Sequence, residues 1–193
     1  MAEVLLFHHA LGLTDGVGAF AEELRRVGHT VHVPDLYEGR TFTDLEAGAG
    51  YAQEIGFGTL VARGERAAEG LPAGLVLAGF SLGVLPAQKL AQTRPGALGA
   101  LLFSACVPVT EFGGAWPAGV PAQVHGMDAD PYFAGEGDLA TARALVADAP
   151  DRRLFLYPGA SHLFAEYGAE SYVPEAAALC LERVQCFLDG VER

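Results

Sequence analysis

Cysteine, basic residues and long apolar runs are all scarce in this chain. Its three cysteines, Cys106, Cys180 and Cys186, leave an odd count and form no C-x-x-C pair. Neither a disulfide framework nor a zinc site is indicated, and buried thiols in a reducing cytoplasm account for them. Only 12 Lys and Arg stand against 24 Asp and Glu, a formal net charge of -12. That balance repels phosphate backbones and anionic lipid headgroups, which argues against nucleic acid and membrane surfaces as partners. The first apolar run, residues 4–7, is too short for a signal core or a membrane span and follows no basic segment, so a cytoplasmic location is expected. There is no H-E-x-x-H and no phosphate-binding Gly loop, and Gly16-Val17-Gly18 lacks the third glycine of a dinucleotide fingerprint. His8 and His9 are adjacent and therefore poorly spaced to ligate one metal. Neither a metal nor a cofactor is expected.

What is present is an ordinary globular composition, 51% hydrophobic and 19% charged over 193 residues. That length supports one domain, residues 1–193, with a sizeable core. Short β-like runs at residues 4–8, 30–33, 74–80, 100–104, 123–125 and 154–157 alternate with segments of helical apolar spacing at 18–27, 51–69, 82–93, 139–149 and 174–188. Such alternation predicts an α/β fold: a mainly parallel sheet flanked by helices on both faces. Pro86 falls near the first turn of its helix, where a missing N–H is tolerated.

Gly79-Phe80-Ser81-Leu82-Gly83 is a G-x-S-x-G between an apolar strand-like run and a helix-like segment, the context of a nucleophile elbow. A strand turning that sharply into a helix leaves no room for bulk beside the serine, and glycines meet the demand. Asp130 and His162 follow, each just past a predicted strand end, where open α/β sheets place their chemistry. The order Ser, Asp, His is that of an α/β-hydrolase triad and differs from the chymotrypsin and subtilisin orders. Ser81 is the candidate nucleophile, inert unless beside a base. His162 is the candidate base and acid, and Asp130 the residue that orients it, with Asp128 a rival two positions away.

Taken together, His8-His9-Ala10-Leu11-Gly12, Pro34-Asp35-Leu36-Tyr37, the Ser81 pentapeptide, the segment from His125 to Pro131 and Gly159-Ala160-Ser161-His162-Leu163-Phe164 resemble the dienelactone hydrolase family. The resemblance spans nearly the whole chain. It implies a compact, lidless α/β-hydrolase fold and hydrolysis of small esters or lactones, without a cofactor. Asp130-Pro131 resembles the family's acid position, and Pro131 would fix that turn. An oxyanion needs backbone donors at a helix N-terminus and after the first strand, which the resemblance puts on Leu82 and Ala10.

Three departures stand out. The namesake enzymes have Cys where this chain has Ser81, Glu where it has His9, and a substrate-gripping Arg where it has Glu166. A negative anchor at Glu166 predicts preference for a neutral ester. His9, Tyr37, Phe112, Trp116, Phe164 and Glu166 are the candidate pocket residues. Thioester cleavage or acyl transfer by the same triad, and a non-catalytic ligand-binding role on the same fold, are the alternatives. Oligomeric state is not legible.

Overall fold

The four central strands of the sheet are so apolar that both of their faces are buried. β1 (Glu3–Phe7), β3 (Val76–Phe80), β4 (Gly99–Phe103) and β5 (Ala122–Met127) form its centre, with β2 (Thr30–His32) at one edge and β6 (Arg152–Tyr157) at the other. The structure, a computed structural model, describes residues 1–147 and 149–191. Residue 148, within the fourth expected helix, and residues 192–193 of the expected domain lie outside it. All strand pairs are parallel, in the order β2-β1-β3-β4-β5-β6. The expected α/β-hydrolase fold is therefore present.

Successive residues of a strand point to opposite faces, and the two faces carry two cores. Leu5, Phe7, Leu77, Leu102 and Val124 face α2 (Leu45–Ile55), α3 (Phe57–Ala67), α4 (Val84–Thr93) and α5 (Asp138–Val146). Val4, Leu6, Val76, Phe80, Leu101 and Phe103 face α1 (Asp15–Arg26) and α6 (Pro174–Val191). Each such fully buried side chain contributes about 1.5–3 kcal/mol. Thr14 caps α1 by accepting from the Val17 amide, and Asp44 caps α2 through the Ala47 amide.

One expected helix, residues 51–69, is two. Gly56 stands at φ 85 as C-cap of α2 and N-cap of α3, a left-handed position that glycine takes without steric cost. Pro86 is the third residue of α4 and fits its first turn. No lid helix interrupts residues 104–121, which carry only the 3-10 turn Val109–Phe112. Gln88 of α4 pins this loop, donating to the Val107 carbonyl and accepting from the Val107 amide. Among the described residues, no helix is long and apolar enough to cross a membrane, and no group of three or more His, Cys, Asp or Glu could hold a metal ion.

Candidate active site

From β1 the chain crosses to the edge strand β2, and from β3 it moves the other way to β4. The connections diverge between β1 and β3, and a crevice opens at their C-terminal ends. Ser81 follows β3 there, and the His8–His9–Ala10 segment follows β1. Ser81 takes a left-handed backbone, φ 48, which disfavours an L-residue by roughly 1–2 kcal/mol and lifts the side chain out of the strand. A β-carbon on Gly79 would meet the Gly83 carbonyl oxygen at 2.2 Å, and one on Gly83 would meet the Phe7 and His8 carbonyl oxygens at 2.5 and 2.6 Å. Both glycines of the pentapeptide thus permit close backbone approach, and the second presses the elbow against the segment that carries Ala10.

His162, in the loop after β6, reaches this crevice. Its Nε2 lies 2.7 Å from Ser81 Oγ, and its Nδ1 lies 2.7 Å from Asp130 Oδ2. A carboxylate only accepts, so Nδ1 carries the proton and the Nε2 lone pair faces the serine hydroxyl. Asp130 is fully buried, and its other oxygen accepts from the Tyr132 amide at 2.9 Å. That Asx turn, helped by Pro131, holds the carboxylate in place. Asp128 is exposed and accepts from the Gly159 amide instead. Asp130 is therefore the acid that meets His162.

The crevice is an open cleft of about 310 Å³. Leu82, Val84, Leu85, Ala105 and Val107 supply its apolar wall, Phe57 and Tyr132 its aromatic rim, and Glu136 and Asp138 its charge. Tyr132 packs its ring 4.8 Å from that of His162 and is 44% exposed, placed to meet a ligand. Burial pushes the Asp138 carboxyl above its ordinary range, opposed by the hydrogen bond it accepts from the Cys106 amide.

None of the six side chains expected in the pocket lines this cleft. Tyr37 is completely buried, its hydroxyl donating to the Gly48 carbonyl within a nest of His8, Phe42 and Tyr51. Phe164 packs on Tyr157 in the core. Phe112 lies under the Lys89 ammonium, and Trp116 donates to the Val120 carbonyl and lines a separate depression beside α5. His9 and Glu166 are buried and face each other, Nε2 to Oε2, at 3.0 Å. His9 Nδ1 accepts from the Leu11 amide at 3.2 Å, so its proton sits on Nε2 toward Glu166. Thr14 donates to the other Glu166 oxygen at 2.5 Å.

Two of the departures from the resembled family are thus one buried pair. Burial by itself raises the Glu166 carboxyl, but the facing His9 Nε2–H and the Thr14 hydroxyl outweigh it and hold the group below the usual carboxylate range. Gly16 is small because a β-carbon there would lie 2.4 Å from Glu166 Cγ. The pair ties the segment after β1 to the loop after His162, flanking Ala10 with held backbone. His8 completes the tie: burial lowers its imidazole to about 4, and the neutral ring donates to the His9 carbonyl and accepts from the Leu36 amide. Glu166 fastens the backbone, and it lines a neighbouring depression with Tyr132 and Leu163 instead of the Ser81 cleft.

Sequence reasoning missed the polar cleft residues Tyr132, Glu136, Asp138 and Ser104 and the apolar Phe57, Val84, Leu85, Ala105 and Val107. Only Tyr132 had a signal, since Asp-Pro predicts an Asx turn returning the chain toward the acid.

Among solved structures, the chain resembles a dienelactone hydrolase-like promiscuous phosphotriesterase from metagenomic libraries, at 18% identity over 99% of this chain and 87% of that one, TM-score 0.76. It also resembles esterase 2 of Thermogutta terrifontis, at 17% identity over 98% of this chain and 83% of that one, TM-score 0.68. At such identities the likeness shows the fold. No curated protein matches the sequence at a significant level. The model of the dienelactone hydrolase family matches residues 1–191. This chain belongs to the dienelactone hydrolase family and is a hydrolase of carboxylic ester bonds on the α/β-hydrolase fold.

Proposed function

We propose that the protein is a serine hydrolase that cleaves a small, uncharged carboxylic ester or lactone through a Ser81 acyl-enzyme. The observation that carries this reading is the unbroken relay at the cleft floor, Ser81 Oγ to His162 Nε2 and His162 Nδ1 to Asp130, each 2.7 Å. His162 takes the Ser81 proton as Oγ bonds to the ester carbonyl carbon, and the carbonyl π-electrons move onto oxygen. The backbone amides of Leu82 and Ala10 stabilise that oxyanion. Collapse of the adduct breaks the bond to the alkoxy oxygen, which receives the proton from His162. Water, deprotonated by the same imidazole, then attacks the acyl carbon and returns Ser81 and a carboxylic acid. Asp130 keeps the imidazole in the required tautomer and stabilises the imidazolium between steps.

Related chemistry is known for a fold neighbour: the Thermogutta terrifontis esterase, at 17% identity and TM-score 0.69, is phosphonylated by sarin. A fluorophosphonate probe therefore tests the reading. We expect one stoichiometric adduct on Ser81. Ser81→Ala should abolish labelling and lower turnover of an activated aryl ester by about four to six orders of magnitude. Adduct formation elsewhere, or substantial turnover by pure Ser81→Ala, would overturn it.

A further inference from the structure

A second serine shares the unusual backbone of Ser81. Phe80 and Phe103 are register partners across β3 and β4, so Ser81 and Ser104 leave adjacent strand ends side by side. Both are left-handed, at φ 48 and φ 58. An isolated left-handed serine is disfavoured where glycine would be free, so its presence points to what its side chain does. The Ser81 case is explained by the elbow. Ser104 is 2% exposed, and its hydroxyl donates to the main-chain carbonyl of His162 at 2.5 Å. Its amide donates to the His125 carbonyl at 2.7 Å, fastening it to β5. His162 is consequently gripped at both ends by hydroxyls from neighbouring strands: Ser81 at the imidazole, Ser104 at the backbone.

We propose that Ser104 is a positioning residue that sets the height of the His162 main chain above the sheet, so that one imidazole spans Ser81 and Asp130 together. The loop carrying His162 has no regular structure of its own, and two 2.7 Å contacts at opposite ring nitrogens leave little tolerance for displacement. A shift of about 1 Å in a catalytic group can cost on the order of a hundredfold in rate. The role rests on the serine-hydrolase reading given above.

Two variants separate positioning from stability. Ser104→Gly removes the hydroxyl and relieves the left-handed strain, while Ser104→Ala removes the hydroxyl and keeps the strained β-carbon. We expect kcat for an aryl ester to fall about 10- to 100-fold in both, with KM within about twofold because the apolar wall and aromatic rim of the cleft are unchanged. Tm should divide, with Ser104→Gly within about 4 °C of wild type and above Ser104→Ala. Retention of wild-type kcat by Ser104→Gly, or activity that simply follows Tm across the two variants, would overturn the role. A readout independent of turnover is the low-field NMR signal of the His162 Nδ1 proton shared with Asp130. We expect it shifted upfield or broadened in Ser104→Gly. If wild type turns over no ester, the hydrolase reading fails by itself. An unchanged signal in Ser104→Gly then overturns the positioning role separately.

Discussion

Replacing one oxygen of Asp130 by an amide should silence the site without disturbing its shape, and the hydrogen bonds dictate how. Both Asp130 oxygens accept: Oδ2 from His162 Nδ1 at 2.7 Å and Oδ1 from the Tyr132 amide at 2.9 Å. In Asp130→Asn only one side-chain atom still accepts. The Tyr132 N–H is a backbone donor with no alternative tautomer, so the asparagine oxygen must face it. The NH2 group is then left against His162 Nδ1. Two donors cannot meet in a buried site, so the imidazole moves its proton to Nε2, where it points at Ser81 Oγ in place of the lone pair. The base is gone although every heavy atom stays close to its position. A wrong-tautomer defect of this kind costs roughly three to four orders of magnitude in kcat, about 4–5.5 kcal/mol of barrier. Asp128→Asn is the control, because an asparagine oxygen can still accept from Gly159 at that exposed turn. It should lose tenfold or less. The assay is steady-state hydrolysis of an aryl ester, with circular dichroism to verify folding. Asp130→Asn within tenfold of wild type, or a larger loss at Asp128, would refute the reasoning.

Acid should unfold the protein through buried neutral histidines. Burial lowers His8 to about 4 and, with Arg183 adding repulsion, His125 to about 3, both from 6.5. The unfolded chain therefore binds more protons, and stability falls as pH drops from about 6.5 toward 4. At pH 4.5 each histidine withdraws about 2.5 kcal/mol, together a large part of an ordinary 5–15 kcal/mol. Glu166, held low, adds to the loss at still lower pH, while relief of the Asp138 ionisation offsets part of it. Urea midpoints equal at pH 7 and pH 4.5 would contradict this. Glu166→Ala leaves the His9 Nε2 proton buried without an acceptor and should destabilise by about 1–3 kcal/mol in urea unfolding. Glu166→Arg, forced against His9 and Gly16, should fail to fold stably, whereas a soluble Glu166→Arg enzyme with altered ester preference would restore a substrate-facing role. Charge selection should come from Glu136 and Asp138, the two acidic side chains lining the cleft. A substrate carboxylate about 6 Å from one of them is disfavoured by about 3 kcal/mol at an effective dielectric of 20. A neutral ester should exceed its carboxylated analogue at least tenfold in kcat/KM, and Glu136→Gln should narrow the gap. Equal efficiencies in wild type would refute that.

Much of the architecture is written in local pattern. The strands were legible because a sheet covered on both faces demands unbroken apolar runs such as Leu75-Val76-Leu77-Ala78. The elbow was legible because its two glycines stand within five residues, Gly79 admitting the turn's own backbone and Gly83 that of the segment after β1 at under 3 Å. Ser81, Asp130 and His162 could be named because each stands just beyond a strand end, and parallel strands gather those ends on one edge. The division of residues 51–69 at Gly56 was not legible, since glycine is common in this chain, and helical spacing continues across the break. Nor were the pocket walls. Four residues after His162, Glu166 points inward to His9, 157 positions earlier in the chain, because the loop after β6 turns back over the segment after β1. Tyr37 and Phe164 carry the composition of a binding pocket and the packing of a core. Only tertiary structure decides which way a loop side chain faces, because that follows from the path of two loops that approach each other in space. Residue type and spacing place the reacting atoms at the sheet edge, whereas the relation between loops shapes the cleft and joins His9 and Glu166 in one buried pair.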